Sequence, residues 1–195
     1  MKQIILIILF TTSITNSFAQ ERMQFSILGG YEHMDNEDIA SNAGYGIGAE
    51  FKYLFYKRLY TVANFHMGTN KDFKSRTAIA EQGEVDFSMR WKTNEYKVGI
   101  GLGVNILKQN KNNIYIQTTL GISHIKYSHP NITEHNPDVT IVNQNHNFLK
   151  YTTSISIGYN YKINKRFFVG LDYTGWWLID YKYRHTCNTK IGVIL

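Results

Sequence analysis

In the stretch YKVGIGLGVNIL, residues 96–107, an apolar side chain recurs at every second position, and glycine fills most positions between. A transmembrane helix needs about 20 mostly apolar residues, yet this run ends at the polar segment KQNKNN, residues 108–113. A two-residue period is typical of a strand. The stretch therefore predicts a strand whose apolar face carries Tyr96, Val98, Ile100, Leu102, Val104 and Ile106.

The first twenty residues have the three parts of a secretory signal peptide. Lys2 gives a basic start, residues 4–10 are apolar, and the small residues Ser17 and Ala19 precede a cut before Gln20. A retained membrane anchor is the alternative, but the apolar run is much shorter than a span. We expect residues 1–19 to be removed and residues 20–195 to form one exported domain.

Composition favours strands and argues against a disulfide-stabilised protein and against a nucleic-acid-binding protein. The chain has two prolines, fifteen glycines, fourteen tyrosines and eleven phenylalanines, a bias toward strand formers. Its single cysteine, Cys187, has no partner for an internal disulfide bond. The pI of about 9.2 raises nucleic acid as a partner, but the lysines are scattered along the sequence and export argues against it. We expect no nucleic-acid partner.

Eight segments after residue 20 alternate with the period of a strand, and none sustains a helical period. They are residues 24–32, 44–55, 59–69, 96–107, 114–126, 148–162, 167–177 and 186–195. Short polar turns at 56–58, 108–113 and 163–166 alternate with long loops at 33–43, 70–94 and 127–147. This order is typical of outer-membrane barrels, which have short periplasmic turns and longer outside loops. It predicts an all-β, eight-stranded antiparallel up-and-down barrel with both termini in the periplasm.

Alternation alone leaves open which face is inside, because a soluble lipocalin-like barrel would turn the apolar face inward. Strands of ten or more residues suit a tilted membrane crossing, and aromatic residues concentrate near the strand ends, as in two interfacial girdles. These aromatics are Tyr45, Tyr53, Tyr96, Tyr159, Tyr161, Phe167 and Trp177. We therefore expect lipid outside and a filled lumen, in which glycines admit long side chains from neighbouring strands.

The chain resembles the small eight-stranded outer-membrane barrels of the OmpA and OmpX type over essentially its whole mature length. Its last strand ends on the membrane phase with Ile191, Val193 and Leu195, similar to the strand that such proteins present to the barrel assembly machinery. Leu195 departs from the aromatic residue usual at that end. The resemblance implies outer-membrane lipid, lipopolysaccharide and the assembly machinery as partners, and a monomer.

A catalytic alternative comes from HTCN, residues 185–188. The segment resembles the His-x-Ser-Asn pattern on a lipid-facing strand of the barrels that remove acyl chains from lipid A. Here Cys187 stands where serine is expected, and no acid is evident to orient His185. A second pair, His124 and Ser128, is separated by about 13 Å along a strand. We expect no enzyme activity.

A metal site in the third long loop is a further alternative. The loop contains metal-ligating residue types at His129, Glu134, His135, Asp138 and His146. Their spacing matches no compact metal motif, and such composition is common in polar outside loops. We expect no metal and no cofactor.

Charged residues on the inward phase are predicted to pair across the lumen, because an unpaired buried charge is costly. They are Glu32, Glu50, Lys52, Glu95, Lys97, Lys150, Lys162, Asp172 and Lys190. Turn lengths predict Phe51 opposite Ala63 and Ile47 opposite Met67. In the last hairpin they predict Trp177 opposite His185 and Asp172 opposite Lys190.

Together these patterns predict an outer-membrane barrel with a filled lumen that acts through its outer loops in a structural or surface-interaction role. Two other functions remain open from the sequence. One is a lipid A modifying enzyme, and the other is a narrow channel or an accessory subunit of a secretion or assembly complex. Fold class does not decide among them.

Overall fold

The computed structural model describes residues 22–35, 43–74, 77–80, 83–86, 88–135, 138–179 and 183–195. The predicted signal peptide, residues 1–19, lies outside them. The strands are β1 Met23–Asp35, β2 Ala43–Leu54, β3 Leu59–Lys74, β4 Thr77–Ala80, β5 Gly83–Asp86, β6 Met89–Lys108, β7 Asn112–His135, β8 Asp138–Lys162, β9 Phe167–Leu178 and β10 Tyr183–Ile194. In this part of the chain no helix is long and apolar enough to cross a membrane.

Eight of the strands form a closed antiparallel barrel in the order β1-β10-β9-β8-β7-β6-β3-β2, and β4 and β5 form a separate two-stranded sheet. Each barrel strand pairs with the barrel strands that precede and follow it in the chain, so that β3 pairs with β6. Strand β1 pairs with β10 and closes the ring. Closure leaves no sheet edge within the wall. The predicted eight-stranded up-and-down barrel is confirmed.

The second and third long connections, predicted as loops at 70–94 and 127–147, are largely strand, which corrects that prediction. β6 begins at Met89 and β7 continues to His135, where it pairs with Asp138 of β8. The ladder continues here because backbone hydrogen bonds need no apolar side chains. Polar sequence beyond the apolar band is typical of loops as well as of strands, so the strands predicted from apolar alternation are too short.

The two faces of the wall differ as the alternation predicted. Outward side chains are apolar and exposed, as in Ile100, Leu120 and Leu149, with 70%, 69% and 68% of their surface accessible. Inward side chains are mostly polar and buried, and Ser123 and Ser154 have no accessible surface. The sheet is therefore apolar outside and polar inside, the reverse of a soluble barrel.

The predicted pairing register is confirmed for one hairpin and wrong for the other. Between β2 and β3, Phe51 faces Ala63 and Ile47 faces Met67, as predicted. Between β9 and β10 the register is displaced by two residues, so that Asp172 faces Asn188 rather than Lys190. Trp177 likewise faces Tyr183 instead of His185. A two-residue displacement keeps every side chain on its predicted face, because the side-chain period is two.

Two inward glycines are required by close approach of an aromatic ring. A Cβ atom on Gly103 would overlap the ring of Tyr60, and one on Gly158 would overlap the ring of Tyr115. Both tyrosines are buried, with 1% and 0% of their surface accessible. The bare face of the opening stretch therefore makes room for a side chain that crosses the lumen from a neighbouring strand.

Strand β8 has a long section that pairs with only one of the described strands. Its pairing with β7 is continuous to Asp138, whereas its pairing with β9 stops where Thr152 meets Leu178. The amide of Lys162 donates to the carbonyl of Lys111, on the β7 side (2.8 Å). Because amide direction alternates along a strand, even-numbered amides of β8 point to β7 and odd-numbered ones point away. Among the described strands, none pairs with the odd-numbered amides from 139 to 149.

We therefore expect amide hydrogen exchange in β8 to alternate above the barrel wall. Even-numbered amides from 140 to 150 should exchange slowly, odd-numbered ones from 139 to 149 should exchange fast, and both sets should be protected from 153 to 161. Nuclear magnetic resonance of the protein in micelles resolves this residue by residue. Uniform protection from 139 to 150 would mean that another strand covers this edge.

Candidate functional site in the barrel lumen

The buried ionisable side chains gather in two layers across the lumen. The inner layer, nearer the short turns, contains Glu50, Lys52, Asp172 and Lys190. The outer layer contains Glu32, His66, Glu95, Lys97 and Arg184. Every member of both layers has at most 6% of its surface accessible.

Glu50 is the centre of the inner layer. One of its carboxylate oxygens lies 3.2 Å from the ammonium nitrogen of Lys52 and 3.3 Å from that of Lys190. Its other oxygen accepts a hydrogen bond from the side-chain amide of Gln117 (2.6 Å). Lys190 also lies 3.8 Å from Asp172. Two carboxylates and two ammonium groups therefore balance within one layer.

Aromatic rings complete the inner layer. The ammonium nitrogen of Lys52 lies 3.4 Å from the ring centroid of Tyr115 and 4.7 Å from that of Tyr60, within the range of a cation–π interaction. The Tyr115 hydroxyl donates to Asp172 (2.6 Å). These rings exclude water from the cations and position the carboxylate that neutralises them.

The outer layer repeats the same balance with different residues. Arg184 pairs with Glu32 at 3.2 Å and also with Glu95. Lys97 lies 3.2 Å from Glu95 and 3.7 Å from Glu32. Two carboxylates again meet two basic side chains. His66, at 2.7 Å from Glu32, supplies a hydrogen bond without its charge being needed.

Hydroxyl groups fill the space between the two layers. Thr119 and Ser154 share a hydrogen bond of 2.7 Å, and Thr174 donates to Ser156 at 2.8 Å. A cavity of about 20 Å³ remains beside them, which is room for roughly one water molecule. The lumen is packed rather than open.

The residues that the sequence predicted for a lumen charge network fall in three places. Glu50, Lys52, Asp172 and Lys190 meet in the inner layer, and Lys97 belongs to the outer layer. Lys150 faces inward opposite Ser123 near the outer end and is half-buried.

Sequence reasoning missed two members of the outer layer. Arg184 was outside the predicted eighth strand, which began at residue 186, although it shares the even-numbered phase of the inward Lys190. His66 was placed on the inward face but was not counted among the charged groups. Extending the alternation of β10 by one residue pair would have found Arg184.

His185 and Cys187 lie together on the outward face, but the structure supplies no carboxylate to them among the described residues. The Nδ1 atom of His185 shares a hydrogen bond with the hydroxyl of Tyr173. The ring of Tyr183 packs edge-on against His185, at 4.1 Å between centroids. Cys187 is exposed and faces Tyr31 across β1. The pair is part of an aromatic surface at the outer end of the wall.

The loop that contains the candidate metal-ligating residues is described only in part. The side chains of His129, Glu134, His135 and Asp138 lie outside the described residues. His146 stacks on Tyr127, with ring centroids 4.9 Å apart. Among the side chains that the structure describes, no three metal-ligating groups come together.

We expect Glu50→Gln to destabilise the barrel strongly, because Lys52 and Lys190 would then be buried without their shared carboxylate. Losing one partner of a buried pair costs about 3 to 5 kcal/mol. Asp172→Asn should cost less, since Asp172 is farther from Lys190 (3.8 Å) and the asparagine oxygen can still accept one of the two hydrogen bonds that Tyr115 and Thr174 donate to the carboxylate. Urea unfolding of the refolded protein in lipid vesicles measures both.

The double variant Glu50→Gln, Lys190→Met is the control for this charge balance. It removes one charge of each sign and should recover part of the stability that Glu50→Gln loses. Equal unfolding midpoints for the wild type and Glu50→Gln would show that the lumen charges are not energetically coupled.

Comparison with known proteins supports the fold. No protein-family model matches the chain, and no curated protein matches it. Among solved structures, the attachment invasion locus protein Ail of Yersinia pestis is similar over 90% of this chain and all of its own, with 14% identity and a TM-score of 0.59. Neisserial surface protein A is similar over 89% of this chain and 97% of its own, with 9% identity and a TM-score of 0.60. The N-terminal β-barrel domain of OprF from Pseudomonas aeruginosa is similar over 91% of this chain and all of its own, with 9% identity and a TM-score of 0.54. This chain therefore has the fold of the small eight-stranded outer-membrane barrels.

Proposed function

We propose that this protein is an integral outer-membrane barrel that holds a rigid β-hairpin at the cell surface, with a closed lumen and without catalysis. The observation that carries the proposal is the inversion of its two faces. Charged groups are neutralised inside, while large apolar side chains cover the outside. Such a surface is stable in lipid and would aggregate in water.

The apolar outer face has the form of a membrane band. Tyr151, Leu171 and Ile191, on three consecutive strands of the ring, have 70%, 57% and 67% of their surface exposed. Aromatic residues flank the band at both levels, as in the interfacial girdles of outer-membrane barrels. Trp177 lies toward the long hairpins, and Phe167 lies beside a short turn.

Two charge-balanced layers argue against a conducting role. A solute crossing the lumen would have to break ion pairs around Glu50 and around Glu95 in sequence. An eight-stranded barrel leaves an interior just wide enough for side chains. We therefore favour an anchor over a narrow channel.

The β7–β8 hairpin is the element best suited to bind a partner. The edge of β8 from 139 to 149 extends beyond its pairing with β9, and no described strand pairs with it there, so another strand can bind its backbone groups. Surface interaction also agrees with the name of one structural neighbour, the attachment invasion locus protein, which was also solved with the heparin analogue sucrose octasulfate. The partner of this chain is a surface or envelope component in contact with that hairpin.

Lipid and the assembly machinery complete the proposed set of partners. We propose that residues 1–19 are cleaved during export, that both termini lie in the periplasm, and that the last strand is presented to the barrel assembly machinery. The outer wall then contacts outer-membrane lipid and lipopolysaccharide. The aromatic partners of His185 fit such a lipid-facing surface without a catalytic role.

We expect the protein to fractionate with outer membranes and to migrate differently on detergent gels before and after boiling. An epitope inserted at the turn between β7 and β8 should be labelled by antibody on intact cells. The same epitope inserted at residues 109–110, in a short turn, should be labelled only after the envelope is opened. Recovery as a soluble periplasmic protein would contradict the assignment of the two faces.

We expect the lipid A of cells with and without the gene to have the same acyl chains, because His185 is paired with a tyrosine rather than an acid. Mass spectrometry of extracted lipid A makes this comparison. A difference of one acyl chain that disappears in His185→Ala and in Cys187→Ala would establish the lipid A modifying alternative.

A further inference from the structure

The basic residues of the chain are not all scattered, which corrects the sequence-based interpretation. Each of the three short turns carries two cations and no acid, and their side chains are exposed. These residues are Lys57 and Arg58, Lys108 and Lys111, and Lys165 and Arg166. The turns lie at the same end of the barrel because each joins two consecutive antiparallel strands at that end. We call this set the basic rim.

Backbone hydrogen bonds hold the basic rim as a continuous ring. The Arg58 carbonyl accepts from the amide of Asn105 (2.9 Å), where β6 approaches its turn. The Lys111 carbonyl accepts from Lys162 (2.8 Å), and the Arg166 carbonyl accepts from Ile194 (2.7 Å). Each basic turn is thereby tied to a neighbouring strand. The six cations are spaced around a rigid circle instead of moving on independent loops.

The three turns and the strand segments next to them contain no Asp or Glu. The sequence has no Asp or Glu in residues 51–71, 96–133 or 139–171, which include all three turns. The two carboxylates of the inner layer, Glu50 and Asp172, are buried and already paired with Lys52 and Lys190. Six like charges on one rim repel one another, so a bound anion would stabilise the ring.

Apolar side chains alternate with the cations around the basic rim. Phe55 and Tyr56 precede Lys57 and Arg58, with 48% and 63% of their surface exposed. Ile163, at 56%, precedes the third turn and Phe167, at 48%, follows it. Exposed apolar groups beside cations are the composition of a surface that lies at a lipid headgroup layer.

We infer that the basic rim binds the phosphate headgroups of anionic phospholipids in the periplasmic leaflet. This inference rests on the proposed function, because the short turns face that leaflet only if the barrel spans the outer membrane as described. A soluble polyanion would also meet the charge of the rim, but it would leave the exposed Phe55, Tyr56 and Ile163 without apolar contact. A phospholipid satisfies both.

The test reconstitutes the protein into vesicles and measures its relative affinity for spin-labelled phosphatidylglycerol over phosphatidylcholine by electron paramagnetic resonance. The wild type should prefer phosphatidylglycerol by about fivefold or more at low salt, since each cation near an anionic surface contributes to binding. The preference should weaken near 1 M salt, where charges are screened beyond about 3 Å.

The decisive variant carries Lys57→Gln, Arg58→Gln, Lys165→Gln and Arg166→Gln, and should lose most of the preference. Its matched control exchanges the same four positions between lysine and arginine, which preserves charge, and should retain the preference. No preference in the wild type, or an undiminished one in the glutamine variant, would overturn the inference. So would an equal loss in the charge-preserving control, because the effect would then be structural.

Failure of this inference can be told apart from failure of the proposed function. A wild type that inserts into vesicles without lipid preference refutes only the lipid-binding rim. A wild type that does not insert at all refutes the membrane assignment and the rim together. Insertion is scored first, by the change in gel mobility on boiling.

Discussion

Burial of charge in a narrow lumen is the constraint on which this barrel depends. An eight-stranded wall encloses no room for bulk water, so each ionised group inside must find its counter-ion among side chains. Glu50 meets that requirement by binding two ammonium groups, and Arg184 does so by binding two carboxylates. Both arrangements draw residues from strands far apart in the chain, so charge pairing and barrel closure stabilise each other.

Glycine placement follows from the same constraint. The cations of the inner layer are covered by Tyr115, whose ring fits only because Gly158 on the neighbouring strand has no side chain. Tyr60 stands in the same relation to Gly103. A small residue on one strand therefore permits a large residue on the next, which in turn shields a charge. The bare face noticed in residues 96–107 is one part of this packing.

The sequence predicted the wall well and its outer extensions poorly, for a physical reason. Inside the membrane the alternation is strict because one face contacts lipid, so the sequence alone predicts that Ile100 and Leu120 point outward. In the outer parts of β7 and β8 the sequence no longer alternates between apolar and polar residues, so these strand segments resemble loops. The predicted register of β9 and β10 is wrong because the predicted eighth strand begins at residue 186. The strand begins at Tyr183, so its connection to Leu178 is shorter than the prediction assumed. That late start also concealed Arg184.

Charge neutrality of the lumen determines where the net charge of the molecule resides. Each buried layer contains two carboxylates and two basic side chains besides any histidine, so neither contributes to the formal net charge of +6. The excess must lie on residues outside those layers, and six of the chain's basic residues lie on the basic rim. The pI near 9.2 thus reflects residues outside the two buried layers. Its physical meaning is a local one, because the potential acts on what touches the rim within about a Debye length.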